Sequence, residues 1–106
     1  MKFKNPYLDN VSKLDLLAKW IIVHSALYYE LDTSVVDDFA FDSNCKQFLA
    51  LRRLVTPQEF KRCKWYYVMQ DFDGSTGFHL YKRLKLEHRI EVLHLAEWLS
   101  KIQKED

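Results

Sequence analysis

Apolar side chains recur at helical spacing along residues 11–30, and this stretch constrains the fold more than any other part of the sequence. The positions on that stripe are Leu14, Leu17, Ala18, Ile21, Ser25 and Tyr28. Steps of three and four residues place side chains on one face of an α-helix. Asn10 and Ser12 are good helix-capping residues, and Asp15 follows Ser12 by three positions, as in a capping box. We therefore predict a first helix over about residues 11–30.

A second helix is predicted over about residues 39–54. The polar and β-branched loop at 31–37 precedes it, and Asp38 is the predicted N-cap because a carboxylate there accepts hydrogen bonds from free backbone N–H groups. Its apolar face contains Phe41, Cys45, Phe48 and Leu49. Arg52 and Arg53 fall in the last turn, where cations suit the helix dipole. The first half of the chain is thus predicted as a helix-loop-helix.

The clearest local signal is the sequence TPQE. Thr56 is a capping residue, Pro57 suits the first helical position, and Glu59 completes a capping box. These residues predict a third helix from about 57 to at least 64.

The segment over residues 65–84 has two interpretations. It contains DFDGSTG, a predicted loop from Asp71 to Gly77, between stretches that fit short helices or strands. The alternative to helix is a short β-hairpin across that loop. A final helix is predicted from Glu87 to about 103, from the spacing of Ile90, Leu93, Ala96, Leu99 and Ile102. The predicted fold class is a mostly α, small helical domain.

Composition limits the class of protein. The 106 residues suit one domain, 1–106, and 48% apolar residues suffice for one core. A net charge of +1 argues against a DNA mimic and against strong nonspecific nucleic-acid binding. Cys45 and Cys63 are predicted to be free, buried thiols, and the four histidines lack zinc-ligand spacing. The sequence has neither a signal peptide nor a membrane span, so we predict a cytoplasmic protein with no membrane partner and no metal site.

The stretch LYYELDTSVVDDFAFD combines two adjacent tyrosines with five acidic residues. Its spaced residues are Tyr28, Tyr29, Asp32, Asp38, Phe41 and Asp42. Without a gap, this pattern resembles the N-terminal helical subdomain of bacterial NAD-dependent DNA ligases, in which an aromatic pair and an aspartate precede Asp-x-x-Tyr-Asp. The resemblance covers about residues 12–54, leaving 55–106 as additional helices.

The resemblance implies a site for nicotinamide mononucleotide, the half of NAD that this subdomain binds. It implies that Tyr28 and Tyr29 contact the nicotinamide ring, and that Asp38 and Asp42 accept hydrogen bonds from the ligand. A positively charged ring favours aromatic faces and carboxylates. Phe41 stands where the family has a second tyrosine, so one hydroxyl is missing. The alternative is that Tyr28 belongs to the core and the aspartates are caps or solvated surface.

Ligase catalysis is not expected. The family's nucleophile is the lysine of Lys-x-Asp-Gly, whereas here Asp73-Gly74 follows Asp71-Phe72. A carboxylate at the nucleophile position cannot form the lysine–AMP bond. We therefore predict that the chain is not an enzyme and requires no cofactor.

A second group of charged residues is basic and surrounds the junction of the second and third helices. It comprises Arg52, Arg53, Lys61, Arg62 and Lys64. Basic groups near aromatic residues can contact nucleic acid or a ligand phosphate. The alternative is a solvated helix surface.

Three functional hypotheses follow. The first is a non-catalytic accessory or inhibitor protein, of phage or mobile-element origin, that binds a protein partner through a ligase-like helical scaffold. The second is a binding module for NAD or nicotinamide mononucleotide. The third is an accessory domain that binds nucleic acid.

Overall fold

Six α-helices account for the regular structure of residues 9–75 and 77–105, the part that this computed structural model describes, residues 103–105 by their backbone alone. They are α1 Asn10–Tyr29, α2 Asp38–Arg52, α3 Pro57–Lys61, α4 Tyr66–Met69, α5 Leu80–Arg83 and α6 Leu86–Glu105. No strand occurs within those residues, so the prediction of a mostly α chain is confirmed.

Helix α1 is the centre of the molecule and packs against α2, α5 and α6. Ten of its residues are buried, namely Leu14, Leu17, Ala18, Ile21, Ile22, Val23, His24, Ser25, Ala26 and Leu27. A helix that is apolar on nearly all sides is a core helix rather than an amphipathic surface helix. Tyr28 is 57% exposed, so the alternative that it belongs to the core is wrong. The burial of α1 ends one residue earlier, at Leu27.

The N-caps of the two long N-terminal helices differ from those predicted. Asp9 caps α1, and one of its carboxylate oxygens accepts from the Ser12 backbone N–H at 2.7 Å. That hydrogen bond lowers the pKa of Asp9. Asp37, not Asp38, caps α2 by accepting from the Ala40 N–H at 2.7 Å. The pair Asp37-Asp38 offers two equivalent capping residues, and local sequence does not distinguish them.

The capping box of α3 is confirmed, but the helix is shorter than predicted. Thr56 accepts from the Glu59 N–H, and the Glu59 carboxylate accepts from the Thr56 N–H. Beyond Lys61, the N–H groups of Lys64 and Trp65 donate to the carboxylate of Asp15 at 3.1 and 3.2 Å. Asp15 is therefore not part of a capping box in α1. It connects α1 to the α3–α4 junction by accepting bonds from backbone groups that a continuing helix would satisfy itself.

The hairpin alternative for residues 65–84 is not borne out, because α4 and α5 occupy this segment. Buried Trp65, Val68, Met69 and Phe72 are spaced by three and four residues, which is helical. The loop between α4 and α5 is confirmed, although Thr76 lies outside the described residues. Within it, Gly74 has a φ of +87°, a conformation that favours glycine.

Helix α6 buries only part of the predicted pattern, since Ala96 belongs to that pattern and Val92 does not. Val92 and Ala96 are fully buried against the core, whereas Ile90 and Ile102 are exposed. The prediction of buried thiols is confirmed for both cysteines. Burial raises the pKa of Cys45 to about 12 and that of Cys63 to about 11, so neither thiol is a nucleophile near neutral pH.

Candidate functional site

The end of α1, the start of α2 and the α4–α5 loop enclose a cleft of about 220 Å³, which we call the aromatic cleft. Its lining consists of Tyr28, Tyr29, Ser34, Val36, Asp37, Asp38, Phe41, Ser75 and Gly77. Four of the six residues predicted for a ligand site thus meet in one cavity: both tyrosines, Asp38 and Phe41. They do so because the loop between α1 and α2 is short and returns the chain beside the last turn of α1.

The two tyrosines of the cleft and the neighbouring Phe78 form an edge-to-face series. The rings of Tyr28 and Tyr29 are 4.8 Å apart and nearly perpendicular, and Phe78 meets Tyr29 in the same way at 5.3 Å. Such arrangements place the positive edge of one ring against the negative face of the next. Phe41 is half-buried and contacts Trp20 at a centroid distance of 5.9 Å. This contact anchors the first turn of α2 to the middle of α1.

The other two predicted ligand residues do not line the cleft. Asp42 is exposed and pairs with Lys46, one turn further along α2, at 3.2 Å. Exposed pairs of this spacing contribute about 0.3–0.5 kcal/mol. Asp32 adopts a left-handed φ of 50° in the loop, a conformation that aspartate tolerates better than most residues. The structure therefore assigns Asp42 and Asp32 to helix and loop geometry.

Two of the five basic residues predicted to contact phosphate make internal interactions. Arg52 donates to the carbonyls of Phe72 and Gln70 at 3.2 Å each. Lys64 pairs with Glu91 at 3.0 Å. The remaining three, Arg53, Lys61 and Arg62, are exposed. The basic surface is therefore smaller than the sequence indicates, and binding of nucleic acid stays a prediction.

Asp71, which the ligase resemblance would align with the nucleophile, also has a partner within the chain. The Asp71 carboxylate forms a two-contact ion pair with Arg83, which lowers the pKa of Asp71. Arg83 also donates to the Val68 carbonyl. Asp71 therefore holds α4 and α5 together.

Sequence reasoning missed a second surface, an open hollow of about 230 Å³ between α1 and α6, which we call the apolar groove. It is lined by Leu16, Lys19, Trp20, Val23, His24, Leu95, Trp98 and Leu99. Of the residues that line the groove, Trp98 on α6 is 59% exposed and Leu16 on α1 is 40% exposed. The sequence feature that could have revealed this groove is the helical spacing of Leu95, Trp98 and Ile102. These residues lie on a different face of α6 from the buried Val92 and Ala96.

His24 forms part of the floor of the apolar groove. Its ring stacks on Trp20 at a centroid distance of 4.1 Å. Burial lowers the pKa of His24 to about 4, so the imidazole is neutral at pH 7. The floor of the groove therefore carries no charge under physiological conditions.

Among the described residues, no three histidine, cysteine, aspartate or glutamate side chains are grouped to bind a metal ion. Over the same residues, no helix combines the length and apolarity needed to cross a membrane. No protein-family model, curated protein or solved structure matches this chain significantly, so the ligase resemblance stays a hypothesis based on six spaced residues, four of which line the aromatic cleft.

Proposed function

We propose that this chain is a non-catalytic accessory or inhibitor protein whose apolar groove binds an amphipathic helix of a protein partner. The observation that supports the proposal is the exposed indole of Trp98 above an almost entirely apolar groove. Tryptophan contributes strongly to protein interfaces when a partner desolvates it. The position of the groove between two helices suits the binding of a third helix by apolar residues at positions i, i+3, i+4 and i+7.

Two features of the groove favour a helical protein segment over a small molecule. Its walls are rows of residues on α1 and α6, which form a trough rather than an enclosed cavity. Among the described residues, Lys19 is the one lysine or arginine on its walls, and it pairs with Glu91 at 3.6 Å. The groove is therefore an open, mainly apolar surface, which the apolar face of an amphipathic helix complements.

The test is site-specific photocrosslinking in an extract of the native host. A photoreactive phenylalanine analogue replaces Trp98 in one variant and Phe39 in the other. Phe39 is 81% exposed on α2 and lines neither surface, so it is the matched control. We expect a discrete adduct from position 98 only, suppressed by the second-site change Leu16→Glu. Mass spectrometry of the adduct should locate the crosslink in a partner segment with apolar residues at helical spacing.

Three outcomes would contradict the proposal. They are equal adducts at both positions, no adduct at position 98, and a self-adduct that identifies the groove as a contact between two copies of the chain. Circular dichroism of each variant shows whether the fold is retained.

A second candidate function is binding of nicotinamide mononucleotide or NAD in the aromatic cleft. The observation that favours it is that Tyr28, Tyr29, Asp38 and Phe41 line one cavity. A cavity of about 220 Å³ is smaller than the roughly 300–1,000 Å³ typical of small-molecule sites, so it suits one ring rather than a whole dinucleotide. Titration calorimetry with both nucleotides tests it on the wild type and on Asp38→Asn. Saturable heat that the variant lacks supports this function, and absence of heat at two well-separated temperatures contradicts it.

A further inference from the structure

The aromatic cleft combines ring faces with uncompensated negative charge. Three aromatic residues and two aspartates contribute to its lining. Within the described residues, no lysine, arginine or histidine side chain lines it. Both Asp37 and Asp38 are exposed at the opening. The cleft is therefore accessible, partly apolar and acidic.

The start of α2 does not reverse this electrostatic character. A helix N-terminus carries the equivalent of about half a positive charge. Asp37 already accepts from the Ala40 N–H, which satisfies one of the free backbone donors there. Asp38 adds a second carboxylate within the first turn. Two carboxylates outweigh the partial positive charge of the helix end, so the local field favours a cation.

The neighbouring ring already binds a cation of the chain itself. The ammonium group of Lys82 lies 4.3 Å from the ring centroid of Phe78, which is the distance of a cation–π contact. Phe78 meets Tyr29 edge to face, and Tyr28 continues the series on the cleft side. Tyr28 is the most exposed of these three rings. The same series of rings thus offers the same kind of contact to a cation from outside.

We propose that the aromatic cleft binds a cationic side chain, arginine or lysine including its methylated forms, presented by a protein partner. The cation would contact the faces of Tyr28 and Tyr29 while Asp37 and Asp38 balance its charge. A volume of about 220 Å³ accommodates one long side chain. Among the described lining residues there is no cation to pair with a phosphate ester, so the cleft suits a cationic side chain better than it suits a nicotinamide nucleotide.

This proposal rests on the proposed function because it assigns a second contact on the same protein partner. The cleft nevertheless can be tested without that partner. Its probes are the acetylated amides of arginine, lysine and trimethyllysine, together with an uncharged isostere in which a tert-butyl group replaces trimethylammonium. The isostere preserves size and shape, so the comparison measures the contribution of charge alone.

Binding is measured by NMR titration of the whole protein at low salt. We expect saturable shifts of the Tyr28, Tyr29 and Asp38 resonances with the cationic amides, and at least fivefold weaker binding of the isostere. Tyr28→Ala and Asp38→Asn should each weaken cation binding at least fivefold, whereas Phe39→Ala leaves it unchanged. Tyr28, Asp38 and Phe39 are all exposed, and unchanged spectra elsewhere confirm folding. Raising the salt concentration should weaken binding, since the carboxylates are accessible to counterions.

Three results would overturn the proposal: absence of shifts, equal binding of the isostere, and full affinity in Tyr28→Ala. Nicotinamide mononucleotide and 1-methylnicotinamide are included because they share a cationic ring and differ by the ribose phosphate. Tighter binding of the mononucleotide would assign the cleft to nucleotides instead. Crosslinking at Trp98 reports separately on the apolar groove. Cation binding without that crosslink contradicts only the proposed function, and the reverse contradicts only this inference.

Discussion

The aromatic cleft and the apolar groove are both open to solvent, but they differ in chemistry and in origin. The cleft mixes rings with carboxylates, and seven of its nine lining residues lie between Tyr28 and Phe41. The groove is almost entirely apolar and combines residues 16–24 with residues 95–99. A charged, mixed site selects ligands by charge and geometry, whereas an apolar trough selects them by shape and buried area.

A pair of aromatic rings connects the two surfaces. Trp20 lines the groove, Phe41 lines the cleft, and their centroids are 5.9 Å apart. A partner that engages both surfaces would therefore contact opposite sides of this pair. Each surface should therefore respond to substitutions of its own residues.

Acid should act on the groove through His24. The folded-state pKa is about 4 against 6.5 for a free histidine, so between these values the unfolded chain binds the proton and the folded chain does not. Stability is therefore fully present above pH 6.5 and falls as the pH drops toward 4, by up to roughly 3 kcal/mol. Urea denaturation between pH 7 and pH 4 measures this loss. His24→Gln should show a shallower decline, and parallel curves for the two proteins would refute the assignment.

Gly77→Ala should disturb the cleft wall. A Cβ atom at this position would lie 2.0 Å from the Ser25 hydroxyl oxygen and 2.8 Å from its Cβ, so a shift of the hydroxyl alone cannot make room. Overpacking of this kind costs about 1–3 kcal/mol. Thermal and urea unfolding measure it. The control is Gly77→Ala in a Ser25→Gly background, where the added methyl group should cost much less; an equal cost in both backgrounds would exclude the clash.

The basic residues at the α2–α3 junction extend the comparison to a third surface. Arg52→Lys should lower the free energy of unfolding by about 1 kcal/mol, because an ammonium group cannot reach both carbonyls of the 70–72 segment. Arg53→Lys is the matched control, expected to stay within about 0.5 kcal/mol of the wild type because Arg53 is exposed. Equal effects of the two substitutions in urea denaturation would show that Arg52 is solvated.

Removing the exposed ring of either surface should have the smallest effect on stability. Tyr28→Ala and Trp98→Ala should each change the free energy of unfolding by less than about 1 kcal/mol, because more than half of each side chain faces solvent. Urea denaturation of both variants beside Phe39→Ala measures this. A loss well above that of the control would mean that the ring is part of the core.

Much of the candidate cleft could be predicted from sequence because its parts are close in the chain. A helix that ends at Tyr29 and another that begins at Asp38 are joined by so few residues that their ends must meet. The ligase resemblance added an expectation about the ligand, which stays a prediction. Sequence did not separate Asp38, which lines the cavity, from Asp42, which pairs with Lys46, because residues four apart share one face of a helix.

The groove could not be predicted in the same way. Trp98 shares a helical stripe with Leu95 and Ile102 rather than with the buried Val92 and Ala96, and spacing does not reveal which face of a helix a neighbour covers. Which face of α6 is covered depends on how that helix packs against α1, which lies far earlier in the chain. Arg52 illustrates the same limit, since its acceptors lie on a loop eighteen to twenty residues away.

Local sequence alone is enough to predict the helical class of the described residues, the capping box at Thr56, the loop around Gly74 and the proximity of Tyr28 to Asp38. These features depend on propensities, caps and short connections, which act over a few residues. Three outcomes required tertiary packing. Asp15 accepts from the backbone N–H groups that follow α3. Arg52 donates to carbonyls of the chain itself, and Trp98 is exposed. Those outcomes depend on packing, in which a side chain gains a partner or loses solvent only once distant segments meet.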